Sequence, residues 1–175
     1  MIETKRLYIV EAKEEDITII MEMENHKDNK DFVWKGTYKD HLAEIKDDSF
    51  LLFVIKNKED NSIIGFALNK LDFKSNIFEL RRIVISKKGM GYGKEVMNAL
   101  IKYAFEERNM NRLWLDVYPD NVIGIKLYES IGMHCDGILR QNYKSERGYL
   151  DQIIYSILKS EYFQKISKFK RRLNE

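Results

Sequence analysis

Lys88-Gly89-Met90-Gly91-Tyr92-Gly93-Lys94 separates two segments of different period. Before it, Phe78 to Ile85 is short, apolar and rich in branched residues, the pattern of a strand. After it, Val96, Met97, Leu100, Ile101, Ala104 and Phe105 form one stripe at helical spacing, with Lys94, Glu95, Asn98, Lys102 and Glu106 on the other side. Glycines let the backbone take positive φ and approach a ligand closely. The first turn of a helix offers unpaired N–H groups and a partial positive charge, and together these favour a phosphate. Lys87, Lys88 and Lys94 add full charges beside it. The loop reads as a phosphate cradle rather than a plain surface turn.

Upstream of the loop, Arg6 to Val10 alternates enough for a first strand, and Ile17, Ile20, Met21 and Glu24 follow helical spacing. Residues 38–47 read as a second short helix with Leu42 and Ile45 inward. Phe50 to Ile55 and Ile63 to Leu71 form a hairpin across the polar turn Asn57–Ser62. Downstream come a strand over Leu113 to Tyr118 and a short helix over 121–131, closed by a left-handed Gly132. Strands over Met133 to Leu139 and Leu150 to Leu158 follow, and then a basic helix over 159–175. The order βααβββαβαββ plus a C-terminal helix predicts an α/β (α+β) domain, a largely antiparallel seven-stranded sheet flanked by helices.

Composition bounds the function. With 175 residues, 44% hydrophobic and 33% charged, the chain suits one folded domain, 1–175. Its longest apolar run, Phe50 to Ile55, is far short of the ~20 residues that span a bilayer. Residues 1–20 lack the pattern of a signal peptide, so a cytoplasmic location and no membrane partner are expected. The lone Cys135 cannot form an internal disulfide, and with His26, His41 and His134 it gives no metal-ligand spacing, so no metal is expected. Lys159, Lys165, Lys168, Lys170, Arg171 and Arg172 could serve a nucleic-acid arm. The preferred reading is a solvated terminal helix whose Phe163, Ile166 and Phe169 touch the core, with no nucleic-acid partner.

The loop does not suit a nucleotide-triphosphate site, because no Ser or Thr follows Lys94. A dinucleotide fold is the closer rival, with Asp116 as the acidic residue at the next strand end. Yet the loop is not GxGxxG, and six elements precede it where that fold has one strand. Lys88-Gly89-Met90-Gly91-Tyr92-Gly93 instead resembles the pyrophosphate motif of GNAT acyl-coenzyme A transferases: Arg or Gln, two residues, Gly, one residue, then Gly or Ala. Asn121-Val122-Ile123-Gly124-Ile125-Lys126-Leu127-Tyr128-Glu129-Ser130-Ile131-Gly132-Met133 is similar to that family's second signature, N-x-x-A-x-x-L-Y-x-x-x-G-F. The ending, Arg147-Gly148-Tyr149-Leu150-Asp151 with Ile154-Tyr155-Ser156, is similar to the RimJ/RimL-like branch. Three departures stand out: Lys88 for Arg or Gln, Gly124 for Ala at a helix cost of up to ~1 kcal/mol, and Met133 for Phe.

The resemblance implies acetyl-coenzyme A as cosubstrate, held by Ile83, Val84, Ile85, Lys88, Gly89, Met90, Gly91, Tyr92, Gly93, Lys94, Asn121 and Gly124. It implies that the strands before and after the loop helix splay apart, with the pantetheine arm paired to backbone groups of Ile83 and Ile85. It also implies an N-acetyltransferase acting by direct attack in a ternary complex, with Tyr128 as general acid. Glu79 is the candidate base; a salt bridge to Arg81, or proton transfer through water, Glu24 or His26, are the alternatives. A coenzyme A-binding sensor without catalysis is the second class of function. The acceptor would be a small-molecule or peptide amine. Residues 14–31, with seven acidic residues against Lys27 and Lys30, would wall its pocket and favour a cation. Dimers are common in the family, so a homodimer is one expectation.

Overall fold

The structure, a computed structural model, describes residues 1–173. Its elements are β1 (Ile2–Glu3), β2 (Leu7–Glu11), α1 (Ile17–Asn25), α2 (Tyr38–Lys46), β3 (Phe50–Asn57), β4 (Ile63–Asp72) and β5 (Ile77–Ile85). Then follow α3 (Tyr92–Lys102), β6 (Arg112–Val117), α4 (Val122–Ser130), β7 (His134–Ser145), β8 (Gly148–Leu158) and α5 (Lys159–Leu173). The strands make one sheet in the order β1-β2-β3-β4-β5-β6-β8-β7, antiparallel throughout except for β5 and β6. A doubly wound parallel sheet, which the rival dinucleotide reading needs, is not formed.

The two faces of the sheet carry two cores, and strand alternation sorts residues between them. Leu52, Val54, Phe66, Leu68 and Val84 pack with Ile20 and Met23 of α1 on one face. Phe53, Ile55, Ala67, Phe78 and Leu80 pack on the other face with the α3 stripe Val96, Met97, Leu100, Ile101, Ala104 and Phe105. Every residue of that stripe is buried, each contributing ~1.5–3 kcal/mol by leaving water if large and apolar. The helix therefore presses its apolar stripe on the sheet and leaves its N-terminus at the glycine loop.

Three expectations need correction. The sheet has eight strands rather than seven, because Ile2 and Glu3 pair with Ile9 and Tyr8 in a two-residue strand too short to show a period. The β7–β8 hairpin runs well beyond Leu139, to Ser145 and Gly148. Its outer part is exposed and bulged between Leu139 and Tyr143, so no alternation of burial marks it in the sequence. In α5, Phe163 and Phe169 are exposed and Tyr162 turns inward instead, its ring 5.4 Å from that of Phe105. Residues 174–175 of the expected terminal helix lie outside the described residues.

Candidate active site

The glycine loop owes its shape to positive φ at Gly89 (77°) and Gly91 (75°), where side chains are strained. Gly91 caps α3, and the first-turn amides of Tyr92, Gly93 and Lys94 have no intrahelical acceptor. A Cβ on Gly89 would meet nothing within 4 Å, so the loop faces open space. Arg6, from the other end of the chain, braces it. Its Nη1 donates to the Met90 carbonyl at 2.9 Å, its Nε donates to Glu95 at 2.7 Å, and its guanidinium lies 4.4 Å from the Tyr92 ring centre. Lys88, by contrast, points away from the loop and donates to the Asp28 carbonyl and Asn29 Oδ1, both at 3.1 Å.

The gap beside the loop comes from how β5 and β6 pair. They are joined from Ile77 with Arg112 to Leu80 with Leu115, and no further. Beyond that point β5 stays with β4 and β6 stays with β8. Ser86 N donates to Ile64 O at 2.8 Å, and a Cβ on Gly65 would lie 2.3 Å from Val84 O. Val84 and Ser86 thus turn their peptide groups toward β4, and strand alternation leaves those of Ile83 and Ile85 facing the gap.

α4 forms the far wall. Asn121 caps it, its Oδ1 accepting from Gly124 N at 3.0 Å. A Cβ at position 124 would lie 3.0–3.1 Å from the Asn121 amide, so glycine spares this cap a tight contact that alanine would make. Two turns on, Tyr128 is only 6% exposed, and among the described residues its hydroxyl has no hydrogen-bond partner. Burial, reinforced by the charge of Asp116, pushes its pKa above the usual phenol value.

One cavity of about 690 Å³ joins these pieces, within the range of small-molecule sites. All the candidate residues line it except Met90, whose side chain is exposed. It also contains groups that sequence reading did not assign to the site: Asp116, Tyr118, Tyr143, Gln152, Arg82, Glu44, Phe32 and Trp34. Glu79 is half-buried, with Arg81 3.7 Å away. Burial raises its pKa and the Asp116 charge adds to this, against the opposing pull of Arg81 and Lys70. Asp116 is raised by burial too, although the hydrogen bond from Gln152 opposes the shift.

Glu24 is not a pocket charge. It is fully buried, with Oε1 2.7 Å from Arg82 and Oε2 3.1 Å from His41 Nε2. His41 Nδ1 lies 3.0 Å from Glu44, which also pairs with Arg82. Burial works to lower the pKa of His41, but the hydrogen bonds to Glu24 and Glu44 outweigh it and raise it to about 9. His41, rather than Leu42, is the most buried residue of α2. His26 is exposed beside Asp28. Of the acidic residues in 14–31, only Asp28 lines the cavity. The signal for this network was Glu24 itself, a charged residue on an apolar helical stripe.

The site can therefore bind an anion at one end and handle protons at the other. Comparison with known proteins identifies the family. The acetyltransferase (GNAT) family model matches residues 11–133. The uncharacterized N-acetyltransferase YnaD of Bacillus subtilis is 24% identical over 174 residues, covering 92% of this chain and 98% of YnaD. Spermidine N(1)-acetyltransferase of Vibrio cholerae is 23% identical over 158 residues, covering 86% of this chain and 91% of that protein. A crystal structure of spermidine N-acetyltransferase from Vibrio cholerae in complex with CoA and spermine superposes with a TM-score of 0.79. It is 20% identical, over 90% of this chain and 98% of that one. With 123 consecutive positions from residue 11 to residue 133 under the family model, the chain belongs to the GNAT family and is an acyl-coenzyme A-dependent N-acetyltransferase.

Proposed function

We propose that the chain transfers acetyl from acetyl-coenzyme A to a primary amine by direct attack in a ternary complex, and that it sits in the RimJ/RimL-like branch. The observation that carries this reading is the continuity of one cavity, from the helix N-terminus at Gly91 through the strand gap to Glu79 and Tyr128. The residues present fit the cosubstrate. Gly89, Gly91 and the first-turn amides of α3 suit a pyrophosphate, and the gap-facing peptide groups of Ile83 and Ile85 suit an amide-bearing arm. Gly148 at φ 97° and Asp151, which accepts from Gln141 N at 2.7 Å, give the branch motif a role in shaping the β7–β8 hairpin.

When bound, acetyl-coenzyme A supplies an activated acetyl as a thioester. Glu79, whose raised pKa makes it a stronger base, takes a proton from the acceptor's ammonium and passes it to water. Tyr128 gives its proton to the departing sulfur and regains one released by the newly acylated nitrogen. The raised phenol pKa opposes this donation on its own. The same burial raises the proton affinity of a thiolate in that position, so the two shifts offset.

The acceptor is a cationic amine. The Vibrio cholerae relative is named for spermidine, and two carboxylates line the proton-handling end of the cavity here. The test is release of free thiol from acetyl-coenzyme A over a panel of amines. Wild type is expected to turn over cationic amines, and Tyr128→Phe to lower turnover by roughly 10²-fold with cofactor affinity intact. No thiol release with any amine, despite tight coenzyme A binding, would support the sensor reading instead.

A further inference from the structure

The mechanism above uses Glu79 and Tyr128 and leaves a second carboxylate idle beside them. Asp116 stands where β6 parts from β5, on the strand that continues with β8. Its neighbours are Glu79 across the strand gap and Tyr118 two residues on, with Gln152 and Tyr143 from the β7–β8 hairpin, all lining one cavity. Gln152 Nε2 donates to Asp116 Oδ2 at 2.5 Å, and Asn142 Nδ2 donates to Gln152 Oε1 at 2.6 Å. This relay fixes which way the Gln152 amide faces and which Asp116 oxygen it occupies. The other oxygen, Oδ1, receives no hydrogen bond from a side chain among the described residues.

Nor does a cation neutralise Asp116. Among the described residues it has no ion pair, and Glu79 has only Arg81 at 3.7 Å, a side chain that is itself partly in solvent. The charge of Asp116 raises the proton affinity of Glu79, against the pull of Arg81 and Lys70, and the two carboxylates lining one cavity form a place that suits a cation. An independent observation points the same way: the buried Tyr128 turns an unpartnered hydroxyl into this cavity. The rings of Tyr118 and Tyr143, 5.9 Å apart and tilted by 34°, wall the space with π faces.

We propose that Asp116, positioned by Gln152, forms with Glu79 the seat for the ammonium of a cationic primary amine and so selects the charge of the acceptor. A primary ammonium has three donors, enough for a bond to each carboxylate with one to spare for water or a tyrosine. Seated there, its nitrogen is beside the base that must remove its proton. Glu79 takes that proton; Asp116 stays ionised and holds the charge until it leaves. The proposal rests on the reading of this cavity as an amine acetylation site.

The experiment compares two acceptors whose attacking nitrogen differs in charge. These are 1,4-diaminobutane, a dication at neutral pH, and an acyl hydrazide, whose terminal nitrogen is uncharged there. Asp116→Asn should raise KM for the diamine by about 10–100-fold, the loss of a hydrogen bond to a charged group. It should leave KM for the hydrazide and for acetyl-coenzyme A within about twofold. Gln152→Met, which keeps the charge of Asp116 but frees its position, should shift the diamine KM in the same direction by less. It also serves as the test if Asp116→Asn does not fold. Equal KM changes for both acceptors, or none for either, would overturn the proposal. Failure of the wild type to acetylate either acceptor would instead sink the acetyltransfer reading beneath it.

Discussion

Two pairs of carboxylates, only one of which lines the cavity as a pair, are treated in opposite ways. Glu24 and Glu44 are clamped by Arg82 and His41, so that every charge in the group of four is matched. Of Glu79 and Asp116, only Glu79 has a contact to a cation among the described residues, a loose one to Arg81. The two arrangements branch from one strand and one face: Phe78 and Leu80 pack toward α3, and the irregularity in pairing opposite Leu68 and Asn69 leaves Glu79 and Arg82 both on the α1 side. Arg82 is buried against the acids of α1 and α2, whereas the more exposed Arg81 reaches Glu79 only at 3.7 Å. The matched group ties α1, α2 and β5 together, and its acids are spent on structure. The unmatched pair keeps raised proton affinity, the property a base needs.

Breaking the matched group should have the largest effect on stability. Arg82→Met leaves two buried carboxylates facing only His41, a loss of ~3–5 kcal/mol for a broken buried pair. Urea denaturation would measure it, and a loss below ~1 kcal/mol would mean that the group is dispensable. The neighbouring substitution, Glu79→Gln, removes a charge that lacks a good partner and should change stability by less than ~0.5 kcal/mol.

A pH titration sharpens the same comparison with a smaller effect. His41 binds its proton more tightly in the folded state, with a pKa of about 9, than in the unfolded chain near 6.5. Its contribution is therefore fully present below about pH 6.5 and is lost as pH rises through about 9. The shift corresponds to roughly 3 kcal/mol at most. Stability measured from pH 6 to pH 10 should fall across that window in the wild type, and His41→Gln should flatten the curve.

The comparison also marks what could be read from sequence. The glycine loop and α3 were legible because their signals are local: positive φ at Gly91 and a stripe from Val96 to Phe105 at one period. The splay was expected from family resemblance alone. It lies after Leu80 and Leu115, where pairing partners change, and pairing leaves no mark in either strand's composition. Asp116 is visible in the sequence as an acid at a strand end, a position that also suits the rival dinucleotide fold. Its relation to Glu79 and Gln152 joins residues from three strands far apart in the chain. Arg6 was equally hidden, since it meets Met90 and Glu95 only after folding. The acidic segment 14–31 misled for the complementary reason: counting charges cannot show that Glu24 is neutralised by Arg82 and His41.

The central claim is that the under-paired carboxylates do the chemistry. Its most direct test is the rate of thiol release from acetyl-coenzyme A by wild type and Glu79→Gln across pH, with a primary amine as acceptor. If Glu79 removes the ammonium proton, the variant should be slower by roughly 10²-fold at low pH. The gap should narrow as pH rises and the amine loses its proton unaided. A deficit of the same size at every pH would contradict the claim and return Glu79 to a structural partner of Arg81.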